Sequence, residues 1–219
     1  MIDIERREDV RVLHWHDGEN RVNLASIARW HEVLDELVAV VGPLAVVAVG
    51  EGKFFSNGLD LDRFAVAPDE MGPVVEGLHR LLGRLLVFPA YTVAAVNGHA
   101  FAAGAMLSAV FDRRVMRDDR GYWCLPEVDL GLPLTGPMAA AVGARLPGPA
   151  VADAMCTGRR YDADAAVGAG IVDETASAAT VLDRAVERAA AVAGKDREVL
   201  VTHKRLLFGA AARACGWSP

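Results

Sequence analysis

Residues 1–16 alternate loosely, with Ile2, Ile4, Val10 and Val12 apolar and charged residues between them, which predicts an opening hairpin. From Leu24 to Val41 the apolar positions Ile27, Ala28, Leu34, Leu37, Val38 and Val41 recur at helical spacing, and Gly42-Pro43 ends the run. Leu44–Val49 is continuously apolar, as expected of a strand covered on both faces. A loop over 53–64 follows, then a helix over about 69–87, a second buried strand at Tyr91–Val96 closed by Asn97-Gly98, a helix over 102–111 and a third strand at 113–116. Beyond a segment around Glu127, the pattern predicts short alanine-rich helices at 137–145 and 149–156, a short strand at 171–173, and helices at 178–193 and 196–213. Strands alternating with helices point to βαβ units and a largely parallel α/β sheet. In such folds reactive residues sit in loops beyond the carboxyl ends of the strands, and the segments 53–64, 97–104 and 117–132 all occupy that place.

Composition sharpens this. A chain of 219 residues, 53% hydrophobic and 24% charged, can bury one sizeable core, so one domain is expected. The net charge of −6, with no basic stripe, argues against a nucleic-acid partner. Lys204-Arg205 reads as a solvated helix end. No apolar run follows the charged N-terminus and none is long enough to span a membrane. Three scattered cysteines, Cys124, Cys156 and Cys215, fit reduced thiols in a cytoplasm, and Cys124 reads as packing.

The chemistry concentrates in three segments. Small residues at 102–105 open a helix whose backbone amides could hold an oxyanion, and Glu127 in a Leu-Pro-Glu turn could move a proton. Phe55-Ser56-Asn57-Gly58-Leu59-Asp60-Leu61, Ala95-Val96-Asn97-Gly98-His99-Ala100 with Ala102-Ala103-Gly104, and Leu125-Pro126-Glu127 with Leu130-Gly131 resemble, in this order, the loops of the enoyl-CoA hydratase/isomerase (crotonase) superfamily. Thr157-Gly158, Asp164-Ala165 and Gly168–Asp173 extend the similarity over nearly the whole chain.

That resemblance implies a crotonase-like ββα spiral over 1–175, with a C-terminal helical region over 176–219 in the same domain that helps form a homotrimer or a dimer of trimers. It implies an acyl-CoA substrate, with CoA as carrier and no separate cofactor or metal. It also implies that the backbone N–H groups of Leu59 and Ala103 hold the thioester oxygen and that Glu127 is catalytic. Ser56, Asn57, Gly58, Asp60, Leu61, Gly98 and Leu125 are then expected around the substrate, and Lys53 and Lys204 are candidates for its phosphates or ordinary surface lysines. Hydratases of the family carry a second glutamate where this chain has Met106, and dienoyl-CoA isomerases an acid where it has Thr135. Adding water needs one group to activate water and another to protonate carbon, a task methionine cannot share. One carboxylate suffices for a Δ3→Δ2 double-bond shift, and the resemblance is closest to monofunctional Δ3,Δ2-enoyl-CoA isomerases. Another crotonase reaction, or a non-catalytic acyl-CoA-binding subunit, are the alternatives.

Other residues have plainer readings. Tyr122, Trp123 and Leu125 either wall the carboxylate or pack the core. Asp60 braces its own loop, Asp118 and Asp119 are solvated, and Asp129 points away from Glu127 if that segment is extended. His14 and His16 share a strand face without a third metal ligand, and His99 packs or hydrogen-bonds near the oxyanion segment.

Overall fold

The computed structural model describes residues 1–218. Among the described residues nine strands form two sheets. The larger has the order β1 (Ile2–Arg7), β2 (Val10–Trp15), β3 (Ala45–Gly50), β5 (Tyr91–Val96), β7 (Arg113–Arg117), β9 (Glu174–Ala176). Only the β1–β2 hairpin is antiparallel. The smaller sheet is parallel and pairs β4 (Phe54–Ser56), β6 (His99–Phe101) and β8 (Trp123–Cys124). Each turn of the chain therefore lays a long strand in one sheet, a short strand in the other and then a helix, which is a ββα spiral.

The continuous apolar strands are explained by cover on both faces. One face of the large sheet, with Leu13, Val46, Ala48 and Ala94, meets the main core built with α1 (Leu24–Val38), α3 (Met71–Leu86) and α4 (Ala103–Val110). The other face, with Val12, Val47, Val93 and Val115, is covered by α9 (Val181–Ala193). The buried residues of α9 are Val181, Ala185, Ala189 and Ala193, one per turn, and the small alanine side chains let the helix lie close on the sheet.

The differences from the sequence expectation are local. The loop expected over 53–64 contains β4 and a helix, α2 (Leu61–Val66), and β6 follows the Asn97-Gly98 turn directly. Glu127 opens a one-turn helix, α5 (Glu127–Leu130), so the segment is not extended; α6 (Gly136–Gly143) and α7 (Gly148–Thr157) follow near their expected places. The strand expected at 171–173 lies at Glu174–Ala176, where pairing with β7 begins. Ile171 and Val172 owe their burial instead to α8 (Ala163–Gly168), whose Ala166 carbonyl accepts both their N–H groups. That helix is capped by Asp162, which accepts from Ala165 N at 2.9 Å.

Lys204 corrects a further expectation. It lies on α10 (Arg197–Ala214), 3% exposed, and is not a solvated helix end. Its Nζ donates to the Phe88 and Ala90 carbonyls at 3.1 and 2.8 Å and pairs with Asp112 at 2.5 Å. That ion pair ties the last helix to the amino ends of β5 and β7, and removes Lys204 from any phosphate site.

Candidate active site

The carboxyl ends of β4, β6 and β8 deliver Leu59, Ala103 and Glu127 to one cavity of about 600 Å³. Its wall is chiefly apolar, including Leu59, Met106, Leu134 and Met138, with Arg21, Asn57, Asp62 and Arg160 as polar lining residues besides Glu127 and Thr135.

The loop after β4 is zipped to the segment before α1. Asn57 N donates to the Glu19 carbonyl at 3.0 Å, Val22 N to the Gly58 carbonyl at 2.7 Å, and Asp60 N to the Val22 carbonyl at 3.0 Å. Gly58 N donates to Ser56 Oγ at 3.3 Å, and Leu61 N turns back to the Leu59 carbonyl at 2.9 Å. Among the described residues, the Leu59 N–H is the one amide of this run without an acceptor. Gly58 is required by its neighbourhood as well as by its φ of +84°. A Cβ there would lie 2.8 Å from Ala102 Cβ and 3.4 Å from Ala103 N.

Ala103 is the first residue of α4, where backbone N–H groups have no partner within the helix, and no side chain caps it. The preceding Ala102 holds φ +50°, ψ −123°, a conformation that costs an alanine about 1–3 kcal/mol. Its N–H is fixed by the Cys124 carbonyl at 3.0 Å, which couples the helix start to the strand leading to Glu127. Gly104 brings the helix onto β4, since a Cβ there would sit 2.3 Å from the Ser56 carbonyl oxygen. Two amides without acceptors thus belong to neighbouring loops of one cavity, and backbone donors of this kind can stabilise a developing oxyanion.

Glu127 is held by its short helix. The Asp129 and Leu130 N–H groups bond the Pro126 carbonyl, and Leu132 N bonds the Glu127 carbonyl at 3.0 Å. Its Oε2 is buried without a hydrogen-bond partner among the described residues. Burial pushes the carboxyl up to about 7, only partly opposed by its own backbone N–H. A carboxyl poised near neutrality in an apolar cavity can take up or release a proton at little cost.

The remaining expected site residues divide. Asn57, Leu59 and Leu61 line the cavity with Ala103 and Glu127. Ser56 is buried and donates to the Asn20 carbonyl at 2.6 Å, so it positions the loop from behind. Asp60 caps α2, accepting from Arg63 N at 3.3 Å, while Gly98 packs on the Lys53 carbonyl and Leu125 lies in the core. These three, Ser56 and Gly58 stand outside the cavity lining. Trp123 and Tyr122 stand outside it too: Trp123 is buried and bonds Ser108 Oγ at 3.0 Å, and Tyr122 rests on His99 with ring centroids 5.8 Å apart. Met106 and Thr135, the two positions without an acid, both face the cavity, and so does Cys124, which also bonds the Gly158 carbonyl at 3.2 Å. His14 and His16 face Glu5 and Asp3 across the hairpin at 2.8 and 2.7 Å. Sequence reasoning missed Arg21 and Arg160 as lining residues, and no local pattern marks them.

The profile of the family described as enoyl-CoA hydratase/isomerase matches residues 18–214. The chain belongs to that family. Enoyl-CoA delta isomerase 3 of Arabidopsis thaliana is 33% identical, over 95% of this chain and 92% of that protein. A putative enoyl-CoA hydratase of Thermus thermophilus is 34% identical over 95% of this chain and 83% of its own length. Among solved structures, an apo enoyl-CoA isomerase of Mycobacterium tuberculosis superposes with a TM-score of 0.88 at 27% identity, covering 98% of this chain and 94% of the other. Family membership thus spans both isomerases and hydratases, and the reaction must be argued from the site.

Proposed function

We propose that the chain is a Δ3,Δ2-enoyl-CoA isomerase in which Glu127 is the proton carrier and the backbone amides of Leu59 and Ala103 form the oxyanion hole. The observation that carries this reading is a half-buried carboxyl, pushed up to about 7, sharing a cavity with two acceptor-free amides and with Met106, while the other carboxyl of the lining, Asp62, is exposed and paired with Arg21.

The thioester and the neighbouring double bond acidify the C2 protons of a 3-enoyl-CoA. Glu127 takes one of them, and the electron pair moves through the thioester to its oxygen, held by the two amides. The same carboxyl then returns a proton to C4, leaving the double bond conjugated with the thioester. No second acid is needed. Hydration would need one, and the buried Met106 cannot hold or deprotonate water. The apolar wall suits an apolar acyl chain and keeps the carboxylate poorly solvated, which strengthens it as a base.

The CoA portion enters as the carrier of the substrate. Arg160, which has no ion-pair partner among the described residues, lines the cavity and joins Lys53 as a candidate for the phosphates, whereas Lys204 is paired with Asp112. Val199, Leu206 and Leu207 on α10 are 51%, 79% and 71% exposed, which supports assembly through the C-terminal helices into a trimer. Three free cysteines support a cytoplasmic setting.

The test is incubation of the purified protein with 3-hexenoyl-CoA, following the ultraviolet absorbance of the conjugated 2-enoyl thioester, with 2-hexenoyl-CoA in a parallel hydration assay. Rapid conjugation with hydration slower by orders of magnitude is expected. Hydration as fast as conjugation, or acyl-CoA binding without turnover, contradicts the reading.

A further inference from the structure

One polar device on the cavity wall has no part in the single-carboxylate scheme. Thr135 carries the one side-chain hydroxyl among the described residues that line the cavity. Its Oγ1 lies 2.7 Å from Nε2 of His79, a residue 56 positions away on α3. Thr135 also caps α6, accepting from Met138 N at 3.4 Å. A cap needs only an oxygen acceptor. It does not need an imidazole from another helix behind it, and that second contact calls for a different explanation.

We propose that Thr135 and His79 form a proton-exchange pair that connects the interior of the cavity to solvent during turnover. The inference rests on the isomerase reading and adds a route to it. Burial lowers the pKa of His79, with Glu76 on the same helix pulling the other way, so the ring is largely neutral near pH 7. In the tautomer with hydrogen on Nδ1, Nε2 accepts the Thr135 hydroxyl. A proton released by Glu127 passes through cavity water to Thr135 Oγ1 as the hydroxyl proton leaves for His79 Nε2. One O–H bond forms as another breaks, the hydroxyl is regenerated, and the imidazolium gives up its Nδ1 proton to solvent. The reverse sequence brings a solvent proton in. Thr135 is the group facing the cavity contents, and His79 positions it and carries the proton onward. Glu127 alone would move one proton from C2 to C4 internally. With the pair in place, part of the transferred hydrogen comes from the medium.

The experiment is isomerisation of 3-hexenoyl-CoA in heavy water, with deuterium counted by mass spectrometry per molecule of product formed in the first turnovers. Counting per product makes the result independent of how fast each protein works. The wild-type protein is expected to place deuterium in a large share of its product. Thr135→Val and His79→Phe should cut that share at least fivefold, and Thr135→Ser, which keeps the hydroxyl and the cap, should restore it. Product without deuterium from the wild-type protein, or an unchanged share in both variants, overturns the pair while leaving the isomerase reading intact. Folded Val and Phe variants that form no product also overturn it, because they make the pair essential to more than exchange. No product from the wild-type protein removes the isomerase reading itself and this inference with it.

Discussion

One ionisable group is buried and another half-buried at opposite ends of the strands, and the fold treats them differently. At the amino ends of β5 and β7, Lys204 is almost wholly enclosed, yet it has two carbonyls and the Asp112 carboxylate as partners. Asp112 is itself satisfied by the Thr92 amide and hydroxyl at 2.9 and 3.0 Å. At the carboxyl ends of the small sheet, Glu127 keeps one buried oxygen with no partner among the described residues. A paired buried charge holds structure together, whereas an unpaired one is costly and persists where its altered acidity is used.

Breaking the comparison at Glu127 should have the largest effect. Glu127→Gln is expected to slow conjugation about 10²–10⁴-fold, the usual worth of a positioned acid–base group, while acyl-CoA binding persists by calorimetry. The same change should stabilise the fold. The native carboxyl, at about 7, binds a proton more tightly than the ordinary value of 4.5 allows in the unfolded chain. Native stability therefore falls as pH rises through that window, and a residue without the carboxyl escapes the loss. With allowance for solvent screening, Glu127→Gln should gain ~1–2 kcal/mol at pH 8 and little at pH 4, measured by urea unfolding.

Breaking it at the other end should do the reverse. Lys204→Met leaves Asp112 buried and uncompensated, which should cost about 3–5 kcal/mol in urea unfolding. The pH midpoint of isomerisation should stay where it is, and adding Asp112→Asn should recover part of the stability. A smaller effect sharpens the account of the oxyanion hole. Gly58→Ala must place a methyl group against Ala102 at positive φ, moving the Leu59 amide. The expected cost is about 10–10²-fold in kcat, less than the ~10²–10³ for deleting a donor outright, with KM changed far less.

Much of this was legible in the chain itself. Strands such as Ala45–Gly50 and Tyr91–Val96 are apolar throughout because both faces are covered, and that run survives in any reading of periodicity. The small sheet was not legible, because β4, β6 and β8 have three, three and two residues and no period can show in so few. Lys204 was misplaced for a physical reason. The buried positions of α10 are Lys204, Gly209 and Ala212, while Leu206 and Leu207 face outward, which inverts the usual pattern. At the site, Glu127 and the two amide-bearing loops stand out through their motifs. The supporting bonds at Asn20, Glu19 and Val22 do not, since each uses a main-chain group of those residues that any residue carries. His79 and Thr135 meet only through the packing of α3 beside α6, which no local pattern encodes.

In the proposed reaction one carboxyl, made unusually basic by burial, moves the proton. The most direct measurement is the pH dependence of kcat/KM for conjugation of 3-hexenoyl-CoA between pH 5 and pH 9. The rate should rise with pH and level off, with a midpoint near the Glu127 value of about 7. A profile already flat above pH 5.5 would mean an ordinary, solvated carboxylate and would contradict that expectation.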